Sequence, residues 1–116
     1  INIKNDIKVL NVNSSYQLTK DIKIEFINMT HSTPQTVMIA IHTRYGVIIY
    51  ANDFKLDSNP TLGKKANIER LREIGKENVL ALICDSLYAP DSRKTPSESV
   101  EAFLMSIAAL PLFMYY

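Results

Sequence analysis

An imidazole and two carboxylates stand at the ends of apolar runs: His31 after the first, Asp53 after another and Asp85 after a third. Imidazole nitrogen together with carboxylate oxygen is suitable ligation for zinc or manganese. Taken singly, each of these residues is more often a turn former than a ligand, because turns attract side chains that hydrogen-bond their own backbone. The case for chemistry therefore rests on their convergence. His42 lies inside an apolar run, away from those ends, and reads as structural. Cys84, just before Asp85, reads as a core thiol. Lys64, Lys65, Arg70 and Arg72 read, together with Glu69 and Glu73, as a solvated helix face.

Hydrophobic period defines the elements that must position these groups. Ile22, Ile24 and Phe26 alternate with Lys23 and Glu25, which predicts a half-buried strand ending near Met29. Thr36 to Thr43 predicts a second strand, with Val37, Ile39 and Ile41 on one face and Met38, Ala40 and His42 on the other. Both faces are mostly apolar, so this strand should be central. Arg44, Tyr45 and Gly46 make a short reversal into a third strand, Val47 to Ala51. With Thr43 opposite Gly46, counting back along both strands sets Asp53 opposite about Thr36, at the sheet edge that holds the His31 loop.

Ile68, Leu71 and Ile74 recur at helical spacing, with Asn67 as N-cap and Gly75 near the end. Val79 to Cys84 is a continuous apolar run, predicted to be a strand buried on both faces. The order strand, helix, strand favours a right-handed parallel crossover. Asp85 then emerges at the edge shared by His31 and Asp53, and ligands of open α/β sheets tend to bind outside strand carboxyl ends. Ile1, Ile3, Ile7 and Val9 alternate around Asn5 and Asp6, which predicts a strand or short hairpin. Thr95, Pro96, Ser97 and Glu98 form a capping box with proline at the first helical position. Val100, Phe103, Leu104 and Ile107 follow on one stripe.

The 116 residues, 47% of them apolar, suffice for one modest core and not for two complete domains. Thirteen basic and twelve acidic residues leave a net charge of +1, so charge neither supports nor excludes a nucleic-acid partner. A single cysteine excludes an internal disulfide and favours a reducing, cytoplasmic compartment. The apolar stretch Phe103 to Tyr116 is shorter than the about 20 residues a membrane span needs and is interrupted by Ser106 and Pro111, so no membrane partner is expected. Ile1 stands first and no signal-like segment follows it, which suggests a piece of a larger parent chain.

Four segments carry a resemblance. Phe26 to Thr36 (FINMTHSTPQT), Tyr50 to Lys55 (YANDFK), Leu82 to Ser86 (LICDS) and Thr95 to Glu98 (TPSE), in that order, resemble successive segments of ribonuclease J, above all its archaeal form. The resemblance runs from about Tyr16 to Val100. It implies an α/β fold in which residues 1–94 are part of a metallo-β-lactamase αββα sandwich, with a mixed, largely antiparallel sheet and one βαβ crossover. Residues 95–116 would begin a β-CASP domain, Thr95 to Glu98 opening its first helix. The implied activity is RNA phosphodiester hydrolysis, as a 5'-to-3' exonuclease, an endonuclease or both, in mRNA or rRNA processing. The intact parent would carry two zinc ions, with manganese or magnesium as alternatives, and would act on RNA as a homodimer.

On the same resemblance His31 is a terminal zinc ligand and Asp53 the carboxylate bridging both metals, which makes these two the candidate catalytic residues. Ser32 and Thr36 would support them, and Asp85 and Ser86 would lie at the cleft where the β-CASP domain begins. A bridging carboxylate suits this chemistry because it holds two cations about 3.5 to 4 Å apart, one activating water and both stabilising charge.

The sequence departs from the family pattern in three places. The His-x-His-x-Asp-His motif that supplies most of the ligands is absent, as is the later histidine that follows the β-CASP insertion. Asn52 stands where many relatives have glycine, and Glu101 to Tyr116 does not resemble the family. The chain alone is therefore expected to be inactive. Other readings are a different metallo-β-lactamase-fold hydrolase, a non-catalytic remnant of that fold, and a binding module whose Asp53 and Asp85 form an acidic pocket for one magnesium, as in receiver domains. A receiver should alternate strand and helix throughout, whereas Ile22 to Ala51 reads as consecutive antiparallel strands.

Overall fold

The computed structural model describes residues 7–87, 89–93, 96, 97, 99 and 100. Its sheet has five strands in chain order: β1 (Ser15–Thr19), β2 (Ile22–Asn28), β3 (Val37–Thr43), β4 (Gly46–Ala51) and β5 (Val79–Cys84). Helix α1 (Ile68–Ile74) lies between β4 and β5 in sequence. β1 to β4 form an antiparallel meander and β5 pairs parallel to β4. The α/β class, the mixed sheet and the strand, helix, strand crossover agree with the sequence reading, and β3 is central.

The hairpin register follows from its turn. Thr43 pairs with Gly46 and Met38 with Ala51. Only Arg44 and Tyr45 lie between the strands, and Thr43 Oγ1 secures the reversal by donating to Gly46 O (2.8 Å) and accepting from Tyr45 N (3.1 Å). Gly46 has φ +144°, a region that side chains rarely adopt.

One face of the sheet carries the core. Ile27, Met38, Ala40, Val47, Ile49 and Ala51 pack there with Ile74, which is wholly buried, and Leu71 fills the flank. Burial of a side chain such as Ile74 contributes about 1.5–3 kcal/mol. α1 starts where expected because the Asn67 side chain accepts from Arg70 N (3.1 Å), and it stops at Gly75, whose N–H donates to Leu71 O (2.9 Å).

Three expectations are corrected. The apolar run of β5 predicts a strand buried on both faces, yet all six residues are exposed, Leu82 at 61%. Its composition is that of a strand covered by layers above and below, whereas among the described residues α1 packs over β2 to β4 and β5 stands at the edge of the sheet without cover. Cys84 is accordingly exposed and not a core thiol. At the other edge, β1 escaped the sequence reading because Ser15 to Thr19 buries no continuous apolar face; backbone pairing to β2 makes it a strand. Ile7 and Val9, by contrast, are 84% and 90% exposed and belong to no strand, while Ile1 and Ile3 lie outside the described residues.

The opposite face of the sheet is apolar and only half-buried at Ile22, Ile24, Phe26, Val37, Ile39, Ile41 and Ile48. Thr95, Glu98, Phe103, Leu104 and Ile107, and with them the boundary between residues 94 and 95, fall outside the described residues. Ser99 and Val100 are helical, and Val100 N donates to Ser97 O (3.0 Å). No helix among the described residues is long and apolar enough to cross a membrane.

Candidate functional site

β2 and β4 both run antiparallel to β3, and β5 runs parallel to β4, so the carboxyl ends of β2, β4 and β5 lie at one end of the sheet. The cross-strand pairs there are Asn28 with Val37, Met38 with Ala51, and Ala51 with Cys84. His31, Asp53 and Asp85 each leave from this end. Past the regular ladder, Thr30 and Lys55 form an antiparallel bridge. Lys55 N donates to Thr30 O at 2.7 Å, and Thr30 Oγ1 donates to Lys55 O. His31 and Asp53 thus sit on two turns tied together backbone to backbone.

His31 is half-buried, and its Nδ1 lies 3.1 Å from Ser32 Oγ. This contact leaves Nε2 as the ring nitrogen available to a ligand. Thr36 makes no hydrogen bond to His31. Its Oγ1 donates to Thr33 O (2.8 Å) and its carbonyl accepts from Met29 N (2.9 Å), which closes the loop that carries the imidazole. Gln35, at φ 66°, makes the left-handed step in that loop. Asp53 is exposed. Asp85 and Ser86 are exposed too, and both serve a local turn: Asp85 Oδ1 accepts from Leu87 N (3.1 Å) and Ser86 O from Ala89 N (3.0 Å).

The strand ends converge, but the three side chains do not form one cluster. Among the described residues no three His, Cys, Asp or Glu side chains come together as a metal site. Asp85 behaves as the turn former that its residue type favours.

No local sequence signal marks the buried polar residues at this end of the sheet. Thr30 is 2% and Asp57 7% exposed. Asp57 N donates to Thr30 Oγ1 (3.3 Å), while Asp57 Oδ1 accepts from Asn59 N (2.9 Å) and from Ser97 Oγ (2.7 Å). Asn28, 3% exposed, donates from Nδ2 to Lys64 O (3.1 Å) and Lys65 O (2.9 Å) and accepts from Asn67 N (2.9 Å). Two adjoining hollows of about 430 and 330 Å³ share Leu56, Asp57 and Ser58 in their walls. The string Asp57, Ser58, Asn59, Pro60 signals a turn; burial of its first carboxylate depends on distant Ser97 and Thr30 and has no local signal.

A second polar cluster lies between the sheet and α1, away from this end. Glu25 Oε2 meets His42 Nε2 at 2.9 Å, and Arg70 grips the same carboxylate through Nε and Nη2. Glu77 approaches His42 Nδ1 (3.4 Å), and Glu73 takes Arg70 Nη1 (2.8 Å). His42 is structural, as the sequence reading had it. Arg70 is not part of a solvated face, however, because it reaches back across the helix to a strand. Its hydrogen bond holds the Glu25 carboxyl below the usual glutamate range against the opposing effect of burial, with His42 adding to the lowering. The same carboxylate raises the Arg70 pKa.

No protein-family profile matches the chain. Curated sequences do. Ribonuclease J of Pyrococcus abyssi is 38% identical over 103 residues, which make up 89% of this chain. The chain is similar to ribonuclease J. Ribonuclease J of Methanocaldococcus jannaschii matches equally, at 38% over 103 residues, and ribonuclease J 2 of Staphylococcus epidermidis is 37% identical over 102 residues, 86% of this chain. The chain spans 23% of the length of the two archaeal ribonuclease J proteins and 18% of the staphylococcal one.

Proposed function

We propose that the chain is a segment of a two-zinc ribonuclease of the ribonuclease J kind, in which His31 and Asp53 are metal ligands and RNA is the substrate. One observation carries this reading: the two ribonuclease J-like segments around His31 and Asp53, separate in sequence, are joined at Thr30 and Lys55. Imidazole and carboxylate are donors that zinc accepts, with manganese or magnesium as substitutes at the carboxylate. A catalytic zinc generally takes three protein ligands, so these two fit a metal only together with donors from elsewhere in a parent protein. Bound metal would supply an activated water and neutralise charge on the phosphodiester.

This chain contributes orientation. Ser32 at Nδ1 selects the ring nitrogen that His31 presents, as hydrogen-bond partners of metal-bound histidines do. Thr36 closes the loop beneath it. Asp85 and Ser86, at the same sheet end, border the RNA cleft. In this reading the half-buried face of Ile24, Phe26, Ile39, Ile41 and Ile48 receives the second sheet of an αββα sandwich, which packs about 10 Å away, and residues 95–116 open a β-CASP domain. The receiver-like alternative does not fit four consecutive antiparallel strands.

The test uses labelled RNA, added zinc or manganese, and a chelator control. In the parent protein, His31→Ala and Asp53→Ala abolish cleavage and leave the circular dichroism spectrum in place, while the 116-residue chain alone cleaves no faster than buffer. Chelator-sensitive cleavage by the isolated chain, or full activity in the parent carrying Asp53→Ala, overturns the assignment.

A further inference from the structure

We infer that Thr30 and Asp57 are positioning residues: a buried clasp that sets the distance between the turn bearing His31 and the turn bearing Asp53. The inference rests on the reading of His31 and Asp53 as ligands and adds to it the part that makes their separation constant.

Two loops that leave a sheet have no ladder to hold them in register, and a pair of metal donors on such loops must be fixed by other contacts. Here the contacts converge on Thr30. Its carbonyl accepts from Lys55 N, its hydroxyl donates to Lys55 O, and the same hydroxyl accepts from Asp57 N. One buried side chain therefore holds both ends of the segment Lys55 to Asp57, directly after the Asp53 turn, and does so from the residue before His31. Asp57 in turn is fixed by Asn59 N and by Ser97 Oγ, which brings the 96–97 segment onto the same clasp. Ser97 Oγ also contacts Asn59 O (3.3 Å) and Ser99 Oγ (3.0 Å).

Both groups are almost wholly buried, where an unmet hydrogen bond is costly and a met one is geometrically strict. A threonine hydroxyl that donates to one backbone group and accepts from another cannot be replaced by a methyl group of the same shape without releasing both. The effect on His31 and Asp53 is indirect: the clasp acts through the backbone that carries them, at Thr30 and Lys55.

The test is made in the full-length parent. Thr30→Val keeps the side-chain volume and removes the hydroxyl, and Thr30→Ser restores it; Asp57→Ala and Asp57→Asn form the matching pair, since the amide oxygen of asparagine can still accept. Three quantities are read: zinc retention in a chelator competition, amide hydrogen exchange of peptides covering residues 29–32 and 54–59, and the split of RNA cleavage between kcat and KM, all well below the melting temperature of each variant. Thr30→Val and Asp57→Ala are expected to weaken zinc retention roughly tenfold, in line with the loss of other supporting hydrogen bonds around metals. They should also speed exchange in both peptides together and lower kcat with little change in KM. Thr30→Ser and Asp57→Asn should recover most of each loss.

The clasp is refuted if Thr30→Val and Asp57→Ala retain zinc and kcat within twofold of the unaltered protein, or if only one of the two peptides loosens. It is equally refuted if the restoring variants recover nothing. Should Thr30→Val fail to fold, the Asp57 pair decides by the same criteria. Failure of the ligand reading itself looks different: Asp53→Ala in the same parent would then keep its zinc, whatever the Thr30 and Asp57 variants do.

Discussion

Arg70 and Glu25 form a two-point ion pair, Nε to Oε1 at 2.6 Å and Nη2 to Oε2 at 3.0 Å, that fastens α1 to β2 across the core face of the sheet. The side chains are 28% and 13% exposed, so solvent screens the pair only in part. The planar guanidinium fork matches the carboxylate edge, and His42 satisfies the same carboxylate from β3. Ile74 supplies the apolar part of this attachment and the pair supplies its direction.

Arg70→Ala should therefore cost about 2 kcal/mol, the value of a hydrogen-bonded charged contact with its partner left behind. In urea denaturation the midpoint falls while the slope stays unchanged. Arg70→Lys keeps the charge and loses the fork, so it should recover less than half of the loss. Full recovery by lysine would show that charge alone holds α1.

The pair also has a pH signature. Glu25 ionises more readily in the folded chain than its usual value of 4.5. Below that value the unfolded chain takes up a proton first, so the stability from Glu25 is present at neutral pH and is lost as pH falls from about 4.5 through the lowered folded value. Stability measured from pH 7 down to 3 should decline along this limb, and Glu25→Gln should flatten it. An unchanged slope in Glu25→Gln would assign the acid sensitivity to other carboxylates.

Gly46→Ala tests the hairpin. A Cβ at residue 46 runs into the backbone carbonyl of Asn78 and the Leu80 side chain, and φ is +144°. The backbone conformation alone costs a non-glycine residue about 1–3 kcal/mol. The same carbonyl accepts from Val47 N at 2.9 Å, the first tie between β4 and β5. The variant should melt lower, with faster hydrogen exchange in β5 than in β2. Equal exchange in both strands would contradict this local account.

β5 offers an exposed edge with Leu80 at 50%, Leu82 at 61% and Ile83 at 53% exposure. Such an edge pairs readily with a second strand. The isolated chain should associate as its concentration rises, and Leu82→Lys should suppress that association in sedimentation or light scattering. Association that survives Leu82→Lys unchanged would place the sticky surface elsewhere.

The sequence alone determined the parts whose signals are local. Ile22 to Phe26 alternate with a period of two, Val37 to Ile41 are apolar on both faces as a central strand requires, Asn67 and Gly75 bracket α1, and the Arg44, Tyr45 reversal leaves one register for β3 and β4. Because register is arithmetic, the location of Asp53 at the end of the sheet that holds His31 followed from counting. Tertiary structure decided whatever depends on which segments face each other. β1 is a strand because β2 lies beside it, and β5 is exposed because α1 covers a different part of the sheet. Arg70 left the solvated face because Glu25 lies within reach from a strand, 45 residues away in sequence. Thr30 and Asp57 are buried for the same kind of reason: their partners, Lys55 and Ser97, are brought to them by the fold, and no spacing in the chain announces a contact that only packing creates.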